Sequence, residues 1–484
     1  MFQFTNIFKN YVYDARLLSF GRILIGLILL IDIIFRYQHL IPHYTNQGVL
    51  PVSVLKTYYP FYQYYFSIHN FVTSILLLKV LFFIHFVAVF FLIIGYKTRL
   101  FTIINFILLL SLHHRNPLIL QGGDDLLRIT LFYMIFLPWG RYYSLDACLL
   151  AKQERIKNEN PIEFSWIFVL FLINIAFVYL FSALLKTSDE WRKTGDAIYY
   201  ALSLSTLRTP TGEIIYPHYK LLKITTYIVY YIQEILAPVL LIISFHRFIR
   251  NLSIVLIILL HLFIVSSLKV GIFPFIGIST ALMLFLPKNL FNKKDDEHSP
   301  LASLIISTKL KQSKWNFYFS MILFVLILRY NLATLPTHYF SISLVEDRLL
   351  NSIGLAQRWN MFSPGVKRYD GYLVLRGIKK DNSEWDIIHN TSNIHYEPTS
   401  QNKHFLCGDR WRKFLENYEQ VHYNFIKPYF CYYLIHQWNN QHPENTIEAL
   451  NILFVKKTTL PNYQYKTEIE NLCLCNPSFD NQLQ

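Results

Sequence analysis

Runs of about twenty apolar residues recur along most of this 484-residue chain, and a run of that length matches the hydrocarbon thickness of a bilayer. Candidate spans fall near 20–38, 71–95, 100–114, 125–139, 164–185, 224–245, 251–268, 270–287 and 315–333. Composition agrees, since 53% hydrophobic, 17% aromatic and only 16% charged residues exclude a disordered or fibrous chain and fit a water-soluble enzyme poorly. The expected fold class is mainly α: a polytopic helical membrane bundle of about eight or nine transmembrane helices over 1–335, then a smaller extramembrane domain over 336–484. That tail is expected to be mixed α/β or β-rich. Tyr372 to Gly377 and Trp385 to Ile388 alternate and are separated by Asp-Asn and Gly turn signals, whereas Arg410 to Glu416 reads as a helix. Ser266, Lys269, Gly271 and Pro274 interrupt the stretch from 251 to 287, so a re-entrant segment is the alternative to two spans there. The Asn-, Gln- and Tyr-rich end, 457–484, is expected to be loosely ordered.

The net charge of +14 is scattered between apolar runs rather than gathered on one face, which argues against a nucleic-acid partner and for topogenic charge. Lys97 and Arg99, Arg141 and Lys152, Arg155 and Lys157, Arg247 and Arg250, and Lys288, Lys293 and Lys294 mark alternate connections. The positive-inside rule then places the N-terminus, with Lys9 and Arg16, in the cytoplasm. After an odd number of spans the tail, and Lys186 with it, lies outside. No removable signal peptide is expected, because Asp14 and Arg16 precede the first run and no small-residue cleavage site follows. The Ile, Lys, Asn and Phe bias points to an AT-rich bacterial genome and hence a bacterial inner membrane. Cys148, Cys407, Cys431, Cys473 and Cys475 match neither a disulfide scaffold nor paired CxxC zinc ligands, and no HExxH occurs, so no metal is expected.

Ionisable groups inside spans are costly and therefore functional candidates. Arg22 and Asp32 lie about 15 Å apart along the first span, too far to pair with each other, and serve either as interface residues or as partners within the bundle. Lys79, His85, Glu234 and His261 interrupt later spans, and Pro238 can kink the helix beside Glu234. Asn116 through Arg128 gathers His, Arg, Asn and Asp around Gly122-Gly123 at a helix start, where Asp124 suits a cap. Lys186 ends an apolar helix beside Ser188, Asp189, Glu190 and Trp191. It reads either as an interfacial Lys and Trp anchor or as a desolvated amine able to act as a base.

Taken together, Arg22, Gly26 and Asp32, the Gly95-Tyr96-Lys97-Thr98-Arg99 stretch, Asn116 to Arg128, Tyr142 to Asp146, Lys186 with Trp191, and His261 with Gly271 resemble the horizontally transferred transmembrane (HTTM) domain family. That family includes the vitamin K-dependent gamma-glutamyl carboxylases, and Gln357 to Pro364 followed by Asp370-Gly371 is similar to the segment that follows the membrane domain in its bacterial members. The resemblance implies that Lys186 deprotonates a reduced quinol of the vitamin K or menaquinol type, with His261 as helper. Oxygen then adds, the quinol leaves as its epoxide, and in the carboxylases the resulting base prepares a glutamate for carbon dioxide. Arg141, Glu234, Trp191, Arg22, Asp32, Asn116 and Asp124 are the supporting candidates. Where the carboxylases carry a histidine implicated in carboxylation, this chain has Arg141, so quinol epoxidation is expected and its coupling to gamma-carboxylation is left open. The implied partners are the bilayer, the quinol and, with carboxylation, a secreted protein or peptide. The alternative is a non-catalytic accessory protein for maturation or export of a secreted peptide.

Overall fold

The structure is a computed structural model describing residues 11–59, 62–152, 161–244, 246–287, 314–336 and 340–476. The chain is mainly helical and membrane-embedded. The elements that build the site are β1 (Val12–Asp14), α1 (Ala15–Gln38), α2 (Ile75–Ile94), α3 (Thr98–Arg115), α4 (Gly122–Met134), β2 (Ile162–Phe164), α5 (Trp166–Leu185) and α6 (Tyr219–Ile242). They continue with α7 (Arg247–Ser267), α8 (Phe273–Leu284), α9 (Lys314–Ala333), β3 (Tyr369–Ile378), β4 (Glu384–Asp386), α10 (Asp409–Tyr418), α11 (Lys427–Gln441), β5 (Ala449–Thr459) and β6 (Tyr465–Cys475).

Among the described residues, six helices are long and apolar enough to cross a membrane: α1, α2, α5, α6, α7 and α9. Three further helices within the expected eight or nine spans fall outside this set, for visible reasons. The 13 residues of α4 and the 12 of α8 rise only about 20 and 18 Å, short of a hydrocarbon core about 30 Å thick. α3 has 18 residues, but Thr102, Asn105, Ser111, His113, His114 and Arg115 lower its apolar character, and all are buried against other helices. The expected break at 268–272 is present. Gly271 sits at φ +69°, and a side chain there would strike the Asp409 carboxylate. α5 is the bundle's centre, buried over most of its length, while α9 lies at the periphery with Trp315 and Ile322 exposed. Outward-facing Leu76, Phe83, Leu259 and Ile322 are exposed apolar side chains of the kind that contact lipid. Among the basic residues behind the orientation argument, Lys9, Arg155, Lys157, Lys288, Lys293 and Lys294 lie outside the described residues.

The tail carries an antiparallel four-stranded sheet in the order β4-β3-β5-β6, with α10 and α11 beside it. The strands expected near 372–377 and 385–388 appear as β3 and β4, and the helix near 410–416 appears as α10. The loosely ordered end is corrected over much of its length: β6 pairs with β5 from Tyr465 to Cys475, satisfying the backbone of a polar, mostly exposed strand, while 477–484 lie outside the described residues. The cysteines, given no chemistry from spacing alone, include a disulfide between Cys431 on α11 and Cys475 at the end of β6. Spacing could not reveal it, because the two sulfurs are brought together by a helix packing on a sheet.

Tail and bundle share one apolar core and are joined by a buried charge network. On α1, the Arg36 Nε donates to Asp32 Oδ2 at 2.7 Å, and the same guanidinium donates to Asp124 on α4. From α10, Arg410 Nη2 donates to Asp32 Oδ1 at 2.6 Å and to Asp124 Oδ1 at 2.8 Å, and its Nη1 donates to the Ile119 carbonyl at 3.0 Å. All four charged groups are buried, and two arginines balance two aspartates. Nearby, Arg128 on α4 donates to the Gly354 and Ala356 carbonyls at 2.7 and 2.9 Å. Breaking a buried ion pair by removing one partner costs about 3–5 kcal/mol, because the remaining charge stays desolvated. We therefore expect Arg410→Ala to lower the thermal midpoint in detergent sharply and to expose the junction between tail and bundle to protease, with Arg410→Lys intermediate. An unchanged midpoint in Arg410→Ala would remove the network from its structural role.

Candidate functional site

The site begins with an irregular helix. Between Ile228 and Leu236, α6 adopts π-helical turns, and the Ala237 N–H bonds to the Ile232 carbonyl, five residues back. Pro238 follows, and with no N–H of its own it leaves one ladder bond unmade before ordinary α-helix resumes to Ile242. The wider turn aims Glu234 inward. There it meets Lys186, which follows the last residue of α5. Lys186 is only 2% exposed, and its Nζ donates to both Glu234 oxygens at 2.6 Å and to the Ser182 hydroxyl at 2.8 Å. Its ammonium also lies 4.8 Å from the centre of the Trp191 ring, a cation–π distance. All three hydrogens of a charged amine therefore have acceptors, and the carboxylate in contact with it offers a direct place for one proton to go.

Lys186, Glu234, Ser182 and Trp191 line one cavity of about 550 Å³, within the range usual for small-molecule sites. Its walls are largely apolar: Val178 and Tyr179 on α5, Val229 on α6, Leu260, Phe263 and Ile264 on α7, and Phe273 at the start of α8. The far side is closed by tail residues Asn360, Met361, Phe362 and Ser363. That segment is pinned in place, since the Trp191 Nε1 donates to the Phe362 carbonyl at 2.9 Å and the Gln357 and Asn174 side-chain amides exchange hydrogen bonds at 3.1 and 3.3 Å.

His261 stands one residue behind this wall. It is fully buried, its Nε2 lies 2.7 Å from the Tyr179 hydroxyl, and Tyr179 is the group that reaches the cavity. Gly277 makes room for it, because any side chain there would overlap the imidazole. Lys186 lines the cavity, whereas His261 stands behind its wall with Tyr179 in front of it.

The supporting candidates separate into two ends of the bundle. Arg141 pairs with Glu163, just before α5 begins, whereas Lys186 lies just past its end. Twenty helical residues, about 30 Å, stand between them, so Arg141, a supporting candidate, does not join Lys186 at the cavity. Arg22 is at the Arg141 end too, donating to the Tyr143 carbonyl and passing so close to Gly95 that a side chain there would overlap it. Asp32 and Asp124 belong to the structural network with Arg36 and Arg410. Asp124 Oδ2 also accepts the Gln121 N–H at 2.8 Å, the capping role expected of it. Asn116 is buried and holds the chain after α3, donating to the His43 carbonyl at 2.9 Å and accepting from the Leu118 N–H at 3.1 Å.

Several cavity residues were not singled out from the sequence. Ser182 had a readable signal, lying four residues before Lys186 on the same helix face. Gln121 and Arg358 lay within stretches already marked by the resemblance, whereas Tyr179, Arg412 and Lys413 had no such signal, because only folding brings them to this cavity. Compared with protein-family models, with curated proteins and with solved structures, the chain shows no match to any.

The Lys186 and Glu234 pair makes a coupled prediction. Lys186→Met leaves a desolvated carboxylate and is expected to cost about 3–5 kcal/mol, whereas the double change Lys186→Met with Glu234→Leu recovers most of that loss. Thermal unfolding of the purified variants measures it, and equal losses in the single and double variants would show that the pair is not energetically coupled.

Proposed function

We propose that this chain is an HTTM-family membrane enzyme of the vitamin K-dependent carboxylase kind, oxidising a reduced quinol of the vitamin K or menaquinol type to its epoxide, with Lys186 as the base. One observation carries the reading: a buried amine, in direct contact with a carboxylate, beside the apolar α5, α6 and α7 walls of a cavity about 550 Å³ in volume whose tail side carries Arg358, Arg412, Lys413 and Glu416. Helices α6 and α7, whose outer faces expose Tyr231, Leu236, Leu259 and Leu262, stand between that cavity and the bilayer, the reservoir of a lipid-soluble quinol.

The residues fit such a group. Apolar walls suit its ring, and the paired amine suits its hydroxyl. When bound, the quinol supplies the electrons that oxygen accepts, and one quinol with one O2 gives one epoxide and one water. The chain's part is to handle protons at a buried pair. Glu234 takes a proton from the Lys186 Nζ, which leaves both groups neutral, and the neutral amine accepts the next proton from the quinol hydroxyl. Trp191 and Ser182 hold the amine in place. Tyr179, backed by His261, offers a hydroxyl on the adjoining wall. Because Arg141 lies a helix length away, the reading rests on the quinol half; carbon dioxide and a secreted glutamyl peptide enter only if carboxylation is retained.

Oxygen-dependent formation of vitamin K epoxide by the purified protein in nanodiscs is expected, falling by about 10²–10⁴-fold in Lys186→Ala, the usual range for loss of a general base. Folded wild-type protein that converts none of several quinols would overturn the enzyme reading in favour of an accessory role in peptide maturation or export.

The accompanying topology is a bacterial inner membrane with the N-terminus cytoplasmic and the tail outside. The distribution of basic residues supports it, as does the Cys431–Cys475 disulfide, which suits an oxidising compartment. Cys148 and Cys407 are both free and exposed. A membrane-impermeant maleimide applied to intact cells is expected to label Cys407 and spare Cys148, and the reverse pattern would invert the topology.

A further inference from the structure

We propose that the extramembrane tail holds a divalent transition-metal ion, most naturally zinc, on Asp386, His389 and His395. The site is separate from the cavity, none of whose lining residues belongs to it. Asp386 ends β4 and is buried. His389 follows in the loop and is nearly buried, and His395 closes the loop with a side chain 41% exposed. One atom from each lies within 4.8 Å of the others. Both Nδ1 atoms face the same carboxylate oxygen, Asp386 Oδ2, at 2.9 Å from His389 and 3.2 Å from His395. Ligands about 2.0–2.1 Å from a tetrahedral zinc stand about 3.3–3.4 Å from one another, so these spacings are close to the edges of such a site. Rotation of the half-exposed His395 ring brings in the third ligand and leaves a fourth position open to water.

The carboxylate is fixed before any ion arrives. Its Oδ1 accepts the Ile388 and His389 N–H groups, each at 3.0 Å, and its Oδ2 accepts the His395 N–H at 2.9 Å. The backbone also closes on itself, since the Asp386 N–H donates to the Thr391 carbonyl at 2.7 Å.

A second observation comes from counting hydrogens around His389. Its Nε2 lies 2.8 Å from the Thr399 hydroxyl. That hydroxyl has one hydrogen, which it donates to Asn402 Oδ1 at 2.7 Å. Asn402 cannot turn its amide to relieve this, because its Nδ2 donates to the Leu373 carbonyl at 3.2 Å and its Oδ1 already accepts the Thr399 N–H at 3.0 Å. Thr399 must therefore accept from His389, which puts the neutral ring's single hydrogen on Nε2. The Nδ1 lone pair then points at the Asp386 carboxylate, an unfavourable contact unless a cation lies between them. A histidine that donates one nitrogen to a hydroxyl and turns the other toward a carboxylate oxygen has the outer support usual for a metal ligand. The one other occupant that satisfies the count is a proton, making His389 an imidazolium paired with Asp386.

The test separates these two. Full-length protein in detergent is stripped with a chelator, dialysed against Zn²⁺, and its zinc content measured by mass spectrometry. Wild type is expected to retain about one zinc per chain more than His395→Ala, and Thr399→Val to bind that zinc about 10–100-fold more weakly. Equal zinc in wild type and a monodisperse His395→Ala protein overturns the proposal and leaves the proton as occupant. Should His395→Ala fail to fold, Co²⁺ bound to wild type decides. Intense visible bands of a four-coordinate ion support the site, and the weak bands of the hydrated ion overturn it.

Discussion

Two aspartates buried inside an apolar bundle must find cations, and much of the architecture follows from where those cations come from. Arg36 lies one turn along α1 from Asp32 and bonds it locally. A single arginine cannot neutralise Asp32 and Asp124 together. The second charge arrives from α10, 378 residues along the chain from Asp32, as Arg410. Desolvated charges have no tolerance for a missing partner, so α10 is held against the bundle at this point. Arg128, bonding the Gly354 and Ala356 carbonyls, holds the chain just upstream. Between these two fixed points runs the Asn360 to Ser363 segment, which closes the cavity.

The second buried pair differs from the first in the chemistry open to it. Arginine keeps its proton under all ordinary conditions, so the Arg36 and Arg410 network is permanently ionic. Lysine can give its proton up, and the carboxylate that receives it is in contact. Burial disfavours the charged pair and mutual attraction favours it, which leaves the proton's position sensitive to whatever enters the cavity. The wide turns of α6 make this possible. A regular helix would rotate Glu234 relative to Pro238 and the inward face, and the amine would lose its acceptor.

Much of the helical part was legible because hydrophobic length is a local property. The runs containing α1, α2, α5, α6, α7 and α9 were each readable as apolar stretches, and each forms a long helix. The runs at 100–114, 125–139 and 270–287 fall on α3, α4 and α8, which are not among the six long apolar helices. Averaged hydropathy marks a segment as apolar without showing that its polar side chains are covered by neighbours or that the helix stops early. The strand β6 was missed for a related reason. It is polar on its own, and its order comes from the ladder it completes with β5.

Membrane-length helices and a strand-containing tail could be read from the residues in order, because both depend on local apolar patterning. The sequence also picked out Glu234 and His261 as ionisable groups costly to bury, and Lys186 with Trp191 as a pair at a helix end. Which of them meet depends on how the helices pack. That packing placed Lys186 on Glu234, set His261 behind Tyr179, moved Arg141 to the far end of α5 and gave Asp32 a partner in the tail. Those choices depend on contacts across 48, 82 and 378 residues of chain, and a buried charge selects its partner by distance in space.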